Sequence, residues 1–285
     1  MKFLLSPKLD LVFKQLFSGD TEILTDLLNT VLILPEHQLI RSVEIKNPVI
    51  RPEEIIKKFI VLDILARDEQ ENQYDIEMQV RKYAYYPERA LYYLCKMYAD
   101  QLDSGQKYDR LKPVIGIHFL NYEIFPKHDD FRFRFDLRDV RYPKLRLTDD
   151  LSLHIFELPK PDKKDYAGRK EKKLLEWLYF FNHADEEDDT MEMHYTNPMI
   201  HRAYDALKKL SADEETRQLA EMREKALKDE VSALDAARRE GEKKALKKTA
   251  LNLLSIGLLT VEQIARATDL TVAEVKCLQN SEQAE

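Results

Sequence analysis

The chain has two cysteines, Cys95 and Cys277, so far apart in sequence that no disulfide framework is implied. Glycine is scarce, with 6 in 285 residues, and none forms the Gly-rich loop that cradles phosphates, which argues against an ATPase. The seven histidines show neither HExxH nor any pattern with CxxC. His183, His194 and His201 fall in one loose cluster and are expected as separate surface residues, not a zinc site. No apolar run approaches the about 18 residues of a membrane span. The opening "MKFLLSPKLD" is too short and too weakly basic for a secretory signal. A cytoplasmic protein without a membrane segment is the expectation. Basic excess is missing too: the net charge is -7, with 24 Lys and Arg against 26 Asp and Glu up to residue 160. Any DNA-binding surface must then be a local patch.

What is present is charge of both signs, 34% of residues, with 44% hydrophobic residues, a mixture that suits a helix-rich soluble chain. Leu9, Val12, Phe13, Leu16 and Phe17 have helical spacing, and a second helical stripe runs from Ile23 to Val31. "LIRSVEIKNPVI", "KKFIVLDILAR" and "NQYDIEMQV" read as three strands. A helix follows in "YYPERALYYLCKMYADQLDSG", with Pro87 in its first turn and Ser104-Gly105 as its stop. Strands return at "PVIGIHFL", "FRFRFDLRDV" and "LSLHIFEL". The expected division is an α/β core over residues 1–160 and an all-helical extension over 161–285.

The informative stretch is "VLDILARDEQENQYDIEMQVR". With Asp68 to Asn72 as the loop of an antiparallel hairpin, Leu65 falls opposite Asp75 and Asp63 opposite Glu77. Alternation puts Asp75, Glu77 and Gln79 on the face of Asp63. Two acids about 5 Å apart repel unless a cation lies between them, and hard oxygen ligands suit Mg²⁺ or Mn²⁺. An ordinary amphipathic hairpin explains Asp75 and Gln79 as solvent-facing residues. It explains Asp63 poorly, because "FIVLDILA" is apolar on both sides of that acid. A metal or catalytic role and a structural ion pair both remain open on pattern alone.

The order helix, three strands, helix, strand, with an acid on the second strand and Glu-x-Gln on the third, resembles the PD-(D/E)XK nuclease superfamily. More narrowly, "LSPKLDLVFKQLF", "IVLDILARDEQENQYDIEMQV" and "YPERALYYLCKMYADQL" are similar to the Rpn family of recombination-promoting nucleases, also called putative transposases. The resemblance implies a restriction-endonuclease-like core that cleaves DNA with Mg²⁺ or Mn²⁺. It implies Asp63 and Glu77 as metal ligands, and Gln79 as a holder of water where most of the superfamily has Lys. Asp10 corresponds to an acid that often approaches the site, with Lys14 one turn on. The alternative for these two is a surface i,i+4 pair. Arg89 is a candidate phosphate contact, whereas Tyr92 and Tyr93 are expected to pack. Gln79 and the net acidity leave a second reading open, a catalytically silent protein that keeps the fold and assembles through its long helix.

That helix is expected from about Asp213 to Lys248, with so sparse an apolar stripe that it needs a partner, so a homo-oligomer follows. In "TVEQIARATDLTVAEVKCL", Ile264, Ala265, Leu270, Val275 and Leu278 suit a helix-turn-helix-like pair capped by Thr260 and Thr271. Its second helix exposes Glu274, Lys276, Gln279 and Asn280, a poor set for reading DNA, so packing or dimerisation is the expectation.

Overall fold

The computed structural model describes residues 4–46, 64–161, 171–186 and 195–282. By compactness the chain divides into two units, 1–224 and 225–285.

The first unit opens with helices α1 (Asp10–Gly19) and α2 (Thr21–Leu32). Asp20 ends the first and caps the second, its carboxylate accepting from the Glu22 and Ile23 N–H groups. Among the described residues six strands form one sheet: β1 (Val43–Ile45), β2 (Ile64–Asp68), β3 (Gln73–Gln79), β4 (Val114–Leu120), β5 (Arg132–Asp136) and β6 (Leu151–Glu157). Their order is β1-β2-β3-β4-β6-β5. The β2–β3 hairpin is antiparallel with Leu65 opposite Asp75, the expected register, and Glu71 takes a left-handed conformation (φ 71°) in its turn. Helix α3 (Tyr86–Ala99) then carries the chain over to β4, which is parallel to β3. Pro87 lies in its first turn as expected, but the helix ends at Ala99, before Ser104 and Gly105.

The two sheet faces differ in cover. On one, Phe119 meets Phe13 of α1 and Phe181 of helix α4 (Lys172–His183), with Phe17 and Trp177 in the same aromatic core. On the other lie Asp75, Glu77, Gln79 and His118, beneath α3. Helix α5 (Pro198–Ala212) packs on α1 and α2 in the same unit. The sequence reading missed it, although Asn197 caps it and Pro198 occupies its first turn, an ordinary helix start.

Among the described residues, every regular element after Glu157 is an α-helix, and those before residue 225 belong to the first unit. Helix α6 (Glu214–Ile256) is the long polar helix, and it runs eight residues beyond the expected end. In the second unit, α7 (Val261–Thr268) and α8 (Val272–Glu282) bury Ile264, Ala265, Leu270 and Val275 with Ala250. Thr260 and Gln263 form a reciprocal capping box, and the Thr271 hydroxyl accepts from the Glu274 N–H. Asp269 adopts the left-handed conformation (φ 52°) that glycine usually supplies.

Candidate functional site

Strand β3 is buried along nearly its whole length, so its alternation does not separate core from solvent. Asp75, Glu77 and Gln79 are all buried, a correction to the solvent-facing role an amphipathic hairpin would give Asp75 and Gln79. The cause is α3, which roofs this face of the sheet. Tyr86 and Leu94 point down from the helix, and Gly116, the β4 partner of Asp75, leaves room beneath it. A Cβ at Gly116 would lie 2.7 Å from Leu153 Cδ1 and 3.4 Å from His118 Nε2.

Under this roof Asp75, Glu77 and His118 offer ligand atoms that all lie within 4.8 Å of one another. His118 Nε2 is 3.6 Å from Asp75 Oδ2, and Nδ1 is 3.8 Å from Glu77 Oε2. The Tyr86 hydroxyl sits 2.6 Å from Nδ1 and fixes the ring. Gln79 donates from Nε2 to Glu77 Oε2 at 2.9 Å. Asp75 Oδ1 is buried without a hydrogen-bond partner. Such an atom pays a desolvation cost that a cation would relieve. The set therefore fits a divalent ion by its chemistry, two carboxylates and an imidazole.

The acids act on the histidine between them. Burial by itself works to deprotonate His118, but the charges of Glu77 and Asp75 outweigh it and raise the imidazole pKa above its ordinary value. Both carboxylates thus bias the ring toward its charged form. Burial and the nearby Glu77 charge also push the Tyr86 phenol well up, so it stays protonated.

The expected residues are placed unequally. Glu77 and Gln79 meet at the site, while Asp63 lies outside the described residues. Asp10 is engaged elsewhere: Arg223 of α6 donates to it from Nε at 2.9 and 3.1 Å. Its helix α1 lies on the Phe119 side of the sheet, the face away from Glu77. Lys14 is buried in α1, so the surface position that the alternative gave it is corrected. Arg89 stacks over the Tyr83 ring at 5.0 Å, and its charge is felt by His118 and Tyr122. One of its amino groups, Nη2, is buried without a hydrogen-bond partner. Tyr92 and Tyr93 are exposed on α3, at 63% and 40%, so the expectation that they pack is corrected. Of the three clustered histidines, His194 lies outside the described residues. His183 faces Glu186, His201 contacts the Tyr195 carbonyl, and neither joins a metal-capable group among the described residues.

A family model described as PD-(D/E)XK nuclease family transposase matches residues 7–237. The chain belongs to this family. The match agrees with the resemblance in the three quoted stretches and with the mixed α/β sheet, and it extends past the sheet into α6. Comparison with curated proteins and with solved structures gives no match.

Sequence reasoning missed His118 and Tyr86. The signal for His118 was a lone polar residue inside "PVIGIHFL", the same kind of anomaly that drew attention to Asp63. Tyr86 gave none, because a tyrosine in the first turn of a helix packs in most folds.

Proposed function

We propose that the protein is a metal-dependent DNA endonuclease that hydrolyses phosphodiester bonds, with Mg²⁺ or Mn²⁺ as its ion. The observation that carries this reading is the buried Asp75–Glu77–His118 group on the Glu-x-Gln strand of a PD-(D/E)XK family chain. Asp63, directly before Ile64 in sequence, and Glu77 are the proposed ligands, with Asp75 the further acid at the site. A bound divalent cation would supply positive charge to the scissile phosphate and make water a better nucleophile. Glu77 is held for that task by Gln79, whose amide N–H is spent on the carboxylate. The remaining amide oxygen of Gln79 can accept from the attacking water and orient it. His118 steadies both carboxylates, and Arg89 is the proposed partner of a phosphate oxygen.

DNA is the proposed partner, with roles in recombination or with mobile elements, and the cytoplasm is the proposed location. No described helix is long and apolar enough to cross a membrane. We further propose a homo-oligomer through the C-terminal helices, because α6 leaves Val231 and Leu234 exposed along a polar surface.

One observation favours a second reading, that of a silent family member acting in assembly. The acids Glu77 and Asp75 bias His118 toward its charged form, and Gln79 brings no charge where the superfamily pattern has Lys. Thermal melts separate the two at the level of the ion. On the first reading Mg²⁺ or Mn²⁺ raises the midpoint, and Asp63→Asn or Glu77→Gln removes the response. A full response in both variants would refute the ligand assignment.

A further inference from the structure

The sheet face that carries the aromatic core ends, toward the hairpin turn, in a cavity of about 610 Å³. Its floor is a row across three strands, Tyr74 of β3, Ile115 of β4 and Ser152 of β6, with His154 one step further along β6. Ser152 and His154 are buried polar residues in positions that the rest of this face fills with Ile117, Phe119 and Phe156. Their contact is long, 3.5 Å between Oγ and Nε2, so they do little for each other. Neither takes part in the proposed nuclease chemistry, which lies on the other face.

The cavity wall on the β5 side is cationic. Arg134, the β5 partner of His154, stands with Arg146 at the cavity, and with Arg138 they crowd round one carboxylate. Asp136 receives Arg138 Nη2 at 2.8 Å, while the Nε atoms of Arg146 and Arg134 stay 3.4 and 3.7 Å away. Asp149 adds a second acid to Arg146, but its side chain is 73% exposed. Asp68, the other acid at the cavity, is saturated by Tyr74, Asn72 and two backbone N–H groups. Burial and the nearby Arg146 charge destabilise the Arg134 cation. The same surroundings act on His154, whose pKa is lowered to about 4, first by burial and then by Arg134 and Arg132. An anion would relieve both.

The opposite wall is apolar and strained. Leu32, Ile33, Pro35 and Ile40 line it, and Ile33 adopts a left-handed conformation (φ 52°). A β-branched residue there is an outlier, and the strain puts a large apolar side chain at 51% exposure on the cavity rim. The volume lies in the range of small-molecule sites, which pair apolar walls with a few convergent polar groups.

We propose that this cavity binds a small organic anion with a flat apolar body, of the nucleoside monophosphate class, its anionic group on Arg134 and Arg146 and its ring against Ile33 and Ile115. His154 and Ser152 contact the polar edge of the ring. The site is separate from the metal-capable group and does not depend on the nuclease reading.

The test is calorimetric titration of the full chain with AMP, adenosine and inorganic phosphate, in EDTA and with Glu77→Gln run in parallel. AMP should bind, with adenosine and phosphate each at least about tenfold weaker, because each lacks half of the match. Arg134→Gln, at a half-exposed position that tolerates the change, should weaken AMP about ten- to hundredfold, the worth of one charge-assisted contact. Ile115→Trp should block binding by filling the floor, and Glu77→Gln should leave it unchanged. Absence of AMP binding to the full chain would overturn the proposal. So would AMP affinity unaltered in Arg134→Gln, or affinity for phosphate equal to that for AMP.

Discussion

At Glu77 the chain solves a problem that single residues cannot solve alone. The buried Glu77 side chain accepts a hydrogen bond from Gln79 and lies 3.8 Å from His118 Nδ1. Replacing Gln79 tests how far that support matters for chemistry. If it orients water, Gln79→Ala lowers plasmid cleavage by about 10²-fold, and Gln79→Lys keeps or raises it by adding charge beside the phosphate. Equal inactivity of all three forms would favour the silent family member. A second residue-scale prediction concerns His154. Its pKa is about 4 in the folded chain and near 6.5 unfolded, so between these values only the unfolded chain takes up the proton. Stability must then fall as pH drops from about 6.5 toward 4, by at most roughly 1.4 kcal/mol per pH unit. His154→Gln should flatten that dependence. The urea midpoint read from Trp177, the single tryptophan and a core residue of the same unit, measures it.

At the scale of elements, the sequence showed more than the site did. The β2–β3 register was legible because hairpin spacing and alternation agree, and the caps at Thr260 and Thr271 were legible from residue type alone. The burial of Asp75 was not, since it depends on α3 folding back over the sheet, a tertiary contact that the strand's own pattern does not encode. His118 showed only as a lone polar residue in an apolar strand; its place at the site was not legible, because β4 becomes the neighbour of β3 only through the crossover. Helix α5 hid behind its acidic approach, although Asn197-Pro198 announces it. The second unit offers a clean element-scale test. Thr260→Ala removes half of the capping box and should cost about 1 kcal/mol. Circular dichroism should register an earlier loss of helix, while the Trp177 fluorescence midpoint stays where it was. A shift in both signals would mean that the cap supports more than the second unit.

For the whole molecule, the family is that of PD-(D/E)XK nuclease family transposases, and a buried Asp-Glu-His group that could hold a metal ion lies on its sheet. The long helix α6 bears on assembly. Its exposed Val231 and Leu234 predict that the full chain is a dimer or larger in light scattering, and that a chain ended at Glu224 is smaller in subunit number. The same subunit number for both would remove α6 as the assembly element. The central claim, metal-dependent cleavage of DNA, is tested most directly by supercoiled-plasmid cleavage with the full chain in Mg²⁺, in Mn²⁺ and in EDTA, beside Glu77→Gln prepared identically. Nicked and linear product should form with either metal, vanish in EDTA and fall at least about 10²-fold in the variant. Cleavage that Glu77→Gln retains in full, or an intact plasmid in both metals, would contradict it.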